Sequence, residues 1–157
     1  MNDAAFTARG RLSARHGTDA VTASFNWVHA PPRDEVELST PLGQMVATLS
    51  GDASVQHAEI RLADGRSMDA NDWPALTQRA LGFPLPVEGL AAWIRGAPRP
   101  GSPFQAETDE RARATLLRQD GWEIVLDYAD ANASTPVRLR MTYPEVELRL
   151  VLDAFAP

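Results

Sequence analysis

Gly121-Trp122-Glu123-Ile124-Val125-Leu126-Asp127-Tyr128 is the stretch that decides the fold. Trp122, Ile124, Leu126 and Tyr128 alternate with Glu123, Val125 and Asp127. Successive side chains leave a strand on opposite faces, so this period predicts one apolar and one wetted face. Asp120-Gly121 stands in front of it as a hairpin signal, because glycine readily supplies the positive φ of a type I′ turn. The pattern continues downstream. Val137, Leu139, Met141 and Tyr143 alternate with Arg138, Arg140 and Thr142, and Val146, Leu148, Leu150 and Leu152 alternate with Glu147 and Arg149. Successive segments of this kind predict an antiparallel sheet covered on one side.

Working upstream, the same reading predicts strands over 7–15, 20–27, 34–39, 44–50 and 58–63, with a short piece near Ser67. Asp64-Gly65 is a second two-residue hairpin signal, and Pro31-Pro32, the run 132–136 and Tyr143-Pro144 separate further strands. The segment 111–119 reads as a strand from the alternation of Arg111-Ala112-Arg113-Ala114. Two helices interrupt the sheet. Asp69 or Asn71 is placed to cap a helix over 72–81, with Pro74 in its first turn and Gly82 closing it. A second helix over 87–95 follows Pro86, with Leu90, Trp93 and Ile94 on one apolar face and Gly96 at its end. Pro98, Pro100, Gly101 and Pro103 predict an extended connection. A meander of strands with two short helices in its middle predicts a curved sheet whose concave side the helices cover. Periodicity does not distinguish a filled interior from an empty one, and a solid core is its plainer reading.

The chain has 157 residues with 44% hydrophobic and 23% charged residues, which suits one domain over 1–157 with a real core. No apolar run approaches the length of a spanning helix. The first residues, Met1-Asn2-Asp3-Ala4-Ala5, lack the basic and apolar regions of a signal peptide. The expectation is a cytosolic protein or a chain whose leader has been removed. A net charge of −6 argues against a nucleic-acid partner. There is no cysteine, and all 15 basic residues are arginine, so thiolate, Schiff-base and P-loop lysine chemistry are excluded. His16, His29 and His57 are scattered without metal-ligand spacing. No G-x-S-x-G, H-E-x-x-H or glycine-rich phosphate loop is present. The expectation is no catalytic residue, no metal, no cofactor and no enzyme.

An ordered series of short motifs resembles the LolB family. It runs through Arg9-Gly10-Arg11-Leu12, Phe25-Asn26-Trp27, and 38–44, which contains Pro41-Leu42-Gly43. It continues through Gly82-Phe83-Pro84-Leu85-Pro86, 90–98 with Leu90, Trp93, Gly96 and Pro98, and Gly121-Trp122-Glu123-Ile124. No single motif is specific, but their order over nearly the whole chain is.

The resemblance implies an incomplete, half-open antiparallel barrel lidded by helices around an apolar cavity for acyl chains. It implies a receptor at the periplasmic face of the outer membrane, lipid-anchored in its natural form. Such a receptor takes acylated lipoproteins from the soluble carrier LolA and places them in outer-membrane lipid. It further implies a monomer in which Pro41, Leu42 and Gly43 form a protruding membrane-transfer loop. The cavity candidates are Trp27, Val36, Leu38, Met45, Phe83, Leu90, Trp93, Ile94, Trp122, Ile124, Leu139 and Leu148, with Phe83 and Leu85 as a gate. Taken one at a time, the tryptophans also fit a packed core. The family's lipidated cysteine is absent here, and the segment before Arg9 is short, so a trimmed form is expected. The alternatives are a soluble periplasmic carrier of the LolA kind and, from another class, a hydrolase or isomerase on a curved sheet.

Overall fold

The computed structural model describes residues 4–157; residues 1–3, part of the stretch read for a leader, lie outside the described residues. Eleven strands form one sheet. They are β1 (Phe6–His16), β2 (Asp19–Ala30), β3 (Arg33–Ser39), β4 (Met45–Asp52), β5 (His57–Leu62), β6 (Ser67–Ala70), β7 (Phe104–Thr108), β8 (Ala114–Gln119), β9 (Trp122–Asp127), β10 (Arg138–Tyr143) and β11 (Val146–Ala156). Two helices, α1 (Trp73–Leu81) and α2 (Val87–Trp93), fall between β6 and β7. The strand order is β6-β5-β4-β3-β2-β1-β11-β10-β9-β8-β7, antiparallel throughout. The edges β6 and β7 do not pair with each other, so the sheet curls without closing.

The expected mainly β fold, a curved antiparallel sheet lidded by short helices, is the fold observed. Its inner face is the apolar set read by alternation: Trp122, Ile124 and Leu126 on β9, Leu139 and Met141 on β10, Leu148 and Leu150 on β11 are all buried. The chain's first strand sits at the centre, between β2 and β11. Its pairing with β11 slips between Arg9 and Gly10, a β-bulge that bends the strand. Gly10 is required there, because a Cβ would overlap the Val151 carbonyl oxygen. The motif Arg9-Gly10-Arg11 thus marks a bend in the sheet.

The helices lie against the concave face. Asp72 itself caps α1, its carboxylate accepting the Ala75 N–H at 2.8 Å, which corrects the expected Asp69 or Asn71. Gly82, at φ 89°, ends α1 as expected. Trp73 packs over Gly51, where a Cβ would collide with the indole, so that glycine clears the seat of α1. In α2, six of the seven residues are buried. It ends at Trp93 rather than Arg95, because the Gly96 N–H turns back to the Trp93 carbonyl at 2.8 Å.

Two further readings are corrected, and one strand is added. Asp120-Gly121 has both residues at positive φ, as a type I′ turn needs, but in the other hairpin only Gly65 does. There Leu62 pairs with Arg66, and the loop has three residues. Arg111 to Arg113 is a turn, held by Asp109 accepting the N–H groups of Arg111 and Arg113. The alternation that read as strand begins in earnest only at Ala114. Finally, β7 follows the expected extended connection, in residues to which the sequence assigns no element; all five of its residues are exposed, so it carries no apolar alternation to read.

Candidate functional site

The β3–β4 hairpin carries the most exposed large apolar residue described. Thr40 closes its loop: its carbonyl accepts the Gly43 N–H at 2.8 Å, its N–H donates to the Gln44 carbonyl at 2.8 Å, and its hydroxyl accepts the Gln44 N–H at 3.1 Å. Gly43 supplies a φ of 92°. Pro41 and Leu42 are left at the tip, and Leu42 is 93% exposed. Three hydrogen bonds, a proline and a left-handed glycine hold this apolar side chain in solvent.

The residues flanking that loop lead directly into the protein. Leu38 before it and Val46 after it line a groove of about 480 Å³, with Val21, Leu62, Leu81 and Phe83 among its other walls. The groove runs between the inner sheet face and the end of α1. At Leu12 and Leu38 it borders a second space under α2, walled by Phe25, Trp27, Val36, Leu85, Val87, Leu90 and Leu150. Every side chain lining this slot is apolar, and its volume is about 30 Å³. Trp27 keeps its polar edge out of the slot: its indole N–H donates to Asp34 at 2.8 Å, and the same carboxylate oxygen meets His29 Nδ1 at 2.6 Å.

The candidate residues therefore separate. Trp27, Val36, Leu38 and Leu90 line the slot, and Leu38 and Phe83 line the groove. Phe83 and Leu85 are both buried under the link between the helices, one facing each space. Trp93, Ile94, Ile124, Leu139 and Leu148 are fully buried and line neither space; they are packed core. Trp122 lines a separate cleft of about 340 Å³ between the N-terminal ends of the two helices and the sheet at β9 and β10, with Pro84, Pro86 and Tyr143. Met45 is corrected outright. Strict alternation through Leu49 and Ala47 puts it inside, but the pairing with β3 slips between Leu38 and Ser39. Val46 takes the groove position instead, and Met45 is 54% exposed, its sulfur 3.6 Å from the Thr48 hydroxyl. Sequence reasoning missed Val46 because of that slip. It missed Val21, although alternation with Ala23 and Phe25 puts it on the inner face.

Polar contacts fasten the lid at two places: Arg95, just past α2, donates to the Ala4 carbonyl at 2.9 Å, and a cluster around Gln119 holds the strap. The Gln119 side chain sits between the Trp93 indole and the backbone of Arg99, and Arg99 pairs with Asp120 at 2.8 Å. The Arg99 hydrogen bond holds the Asp120 carboxyl below its ordinary range; partial burial opposes this and the Ser102 hydroxyl adds to it.

An unclosed antiparallel barrel with a helical lid over an apolar interior and an exposed leucine loop defines the class of fold. The fold is similar to the crystal structure of a LolA superfamily protein from Nitrosomonas europaea, with TM-score 0.58 and 7% identity over 99% of this chain and 87% of that one. The family model described as outer membrane lipoprotein LolB matches residues 4–154. The chain is 36% identical over 154 residues to the outer-membrane lipoprotein LolB of Chromobacterium violaceum, spanning 98% of this chain and 81% of that protein. It is 36% identical over 152 residues to the namesake from Azoarcus sp., spanning 96% and 77%. The chain belongs to the LolB family, and its place of action is the outer membrane.

Proposed function

We propose that this protein, acting as a single-domain monomer, accepts lipoproteins from the periplasmic carrier LolA and delivers them into outer-membrane lipid. The observation that carries the reading is the Leu42 loop: an apolar side chain held in solvent on a hairpin whose strands, at Leu38 and Val46, wall a mainly apolar groove. Burying one leucine in lipid contributes roughly 1.5–3 kcal/mol. That is too little to anchor a protein, and enough to bias a loop toward the bilayer.

Acyl chains travel through the groove beside Leu38, Val46 and Phe83 and spread the slot under α2. Each CH₂ left in water costs about 0.8 kcal/mol, so carrier and receptor dock with their openings adjacent. The test is reconstitution. LolA loaded with a lipoprotein is mixed with this protein, and the cargo is followed first onto the protein and then into liposomes. Cargo that remains on the carrier, or moves to liposomes equally fast without this protein, refutes the reading.

A further inference from the structure

The slot offers about 30 Å³ against about 480 Å³ in the adjoining groove, so it is the narrow part of the interior, and a chain passing under α2 has to widen it. The lid's two halves are held in very different ways. At the end of α2, Gln119 is 3% exposed and uses its whole hydrogen-bonding capacity on the lid. Its carbonyl oxygen accepts the Trp93 indole N–H at 2.8 Å and the Arg99 backbone N–H at 2.7 Å. Its amide nitrogen donates to the carbonyls of Arg99 at 2.8 Å and Ser102 at 3.1 Å. Next in the chain, Asp120 accepts from the Arg99 guanidinium at 2.8 and 3.1 Å and from the Ser102 hydroxyl at 2.6 Å. Two consecutive residues of the β8–β9 turn thus tie α2 and the strap behind it to the sheet.

Helix α1 has no equivalent. Among the described residues, no hydrogen bond joins an α1 side chain to a strand. Beyond the two-residue link from β6, its attachments to the sheet are apolar: Trp73 over Gly51, with Leu76 fully buried. Its polar side-chain ties to the rest of the lid are the Thr77 hydroxyl accepting the Leu85 N–H at 2.7 Å and the Gln78 amide donating to the Gly82 carbonyl at 3.3 Å. Apolar contacts tolerate sliding; a four-bond amide clamp with defined geometry does not.

We propose that Gln119 is a positioning residue that fixes α2 as the stationary wall of the interior, so that the slot opens on the α1 side, where Phe83 and Leu85 separate from Leu12 and Leu38. The use of that opening for acyl chains rests on the function proposed above; the asymmetry of the lid does not.

Native-state hydrogen exchange tests it. In the wild-type protein the amides of Gln78 to Leu81 in α1 should exchange about tenfold or more faster than those of Leu90 and Ile94. Gln119→Leu removes the clamp, and Gln119→Glu keeps the acceptor for Trp93 and Arg99 while losing both donated bonds. If Gln119→Leu fails to fold, Gln119→Glu and the wild type decide the matter. The variants should bring α2 exchange up toward that of α1 while Leu12 and Leu150, in the central strands, stay unchanged. Uniform acceleration across sheet and lid would mean a merely structural role and overturn the assignment, as would α2 exchanging as fast as α1 in the wild type. A fluorescent fatty acid separates the two claims, and its association should be faster with the variants. If it does not bind but the exchange pattern holds, the acyl-chain reading fails and the clamp stands. If it binds without the exchange pattern, the reverse follows.

Discussion

Leu38 and Leu42 lie on one hairpin, four positions apart in sequence, at opposite extremes of burial: 4% exposed against 93%. Leu38 belongs to the groove and slot, and Leu42 touches solvent. Glutamate at the two positions should therefore have opposite consequences. Leu42→Glu loses no packing and should change unfolding free energy by no more than about 0.5 kcal/mol. A charge there resists entering the bilayer, so cargo should pass from LolA to the variant and stop before liposomes. Leu38→Glu buries an unpaired charge and should be strongly destabilised. Thermal unfolding and liposome transfer, measured on both variants, check the pair; normal transfer by a stable Leu42→Glu protein contradicts the loop's role.

Gly10→Ala tests the bend in the central strand. The added methyl meets backbone at Val151, which cannot rotate away as a side chain would. The expected cost is about 1–3 kcal/mol, read as a lowered urea midpoint at unchanged m-value. Gly65→Ala, by contrast, meets open space, and only its positive φ is strained. An equal or smaller loss at Gly10 would mean the bulge relaxes without difficulty.

The sheet was legible wherever one face is buried, because burial is what writes the alternation. Trp122 to Leu126 and Val146 to Leu152 are cases in point. Where neither face is buried there is nothing to write, so β7 escaped notice. Where the register slips, the pattern misleads by one residue, and Met45 was exchanged for Val46. Leu42's exposure came from the family resemblance; a Pro-Leu-Gly turn fits equally a leucine folded back. The division of the interior into slot, groove and packed core depends on which buried residues touch which. Trp27 and Trp93 read alike in sequence, yet one walls a space and the other fills the core.

The Arg99–Asp120 pair gives the lid a pH dependence. Asp120 has a lowered carboxyl pKa in the folded protein, first because Arg99 hydrogen-bonds its ionised form. Its stabilising contribution is fully present above the unfolded carboxylate value of about 3.9 and is lost as pH falls through the lower folded value. The stability gap between the wild type and Asp120→Asn should therefore be widest near neutrality and shrink in acid below about pH 4. Urea unfolding of both proteins across this range checks it. A gap independent of pH would show that the ion pair contributes no net stability.

The slot sets stability against loading. Leu85 is 4% exposed and forms part of the slot's roof, facing Leu12, Leu38 and Leu150 across a space of about 30 Å³. Truncation to alanine removes packing and leaves a cavity, at an expected cost of about 2–5 kcal/mol. The same change creates room for part of an acyl chain before the lid moves, so a fatty-acid probe should enter faster. The probe should also recover more stability in the variant than in the wild type, because it fills the space the leucine left. Ile124→Val is the control. Ile124 is fully buried but lines neither slot nor groove, so it should lose about 0.5–1.5 kcal/mol and leave probe association unchanged. Stopped-flow binding and thermal unfolding with and without probe measure all of these terms. If both variants change association alike, loading follows global stability rather than the slot. If Leu85→Ala is destabilised without faster entry, acyl chains do not pass beneath this part of the lid.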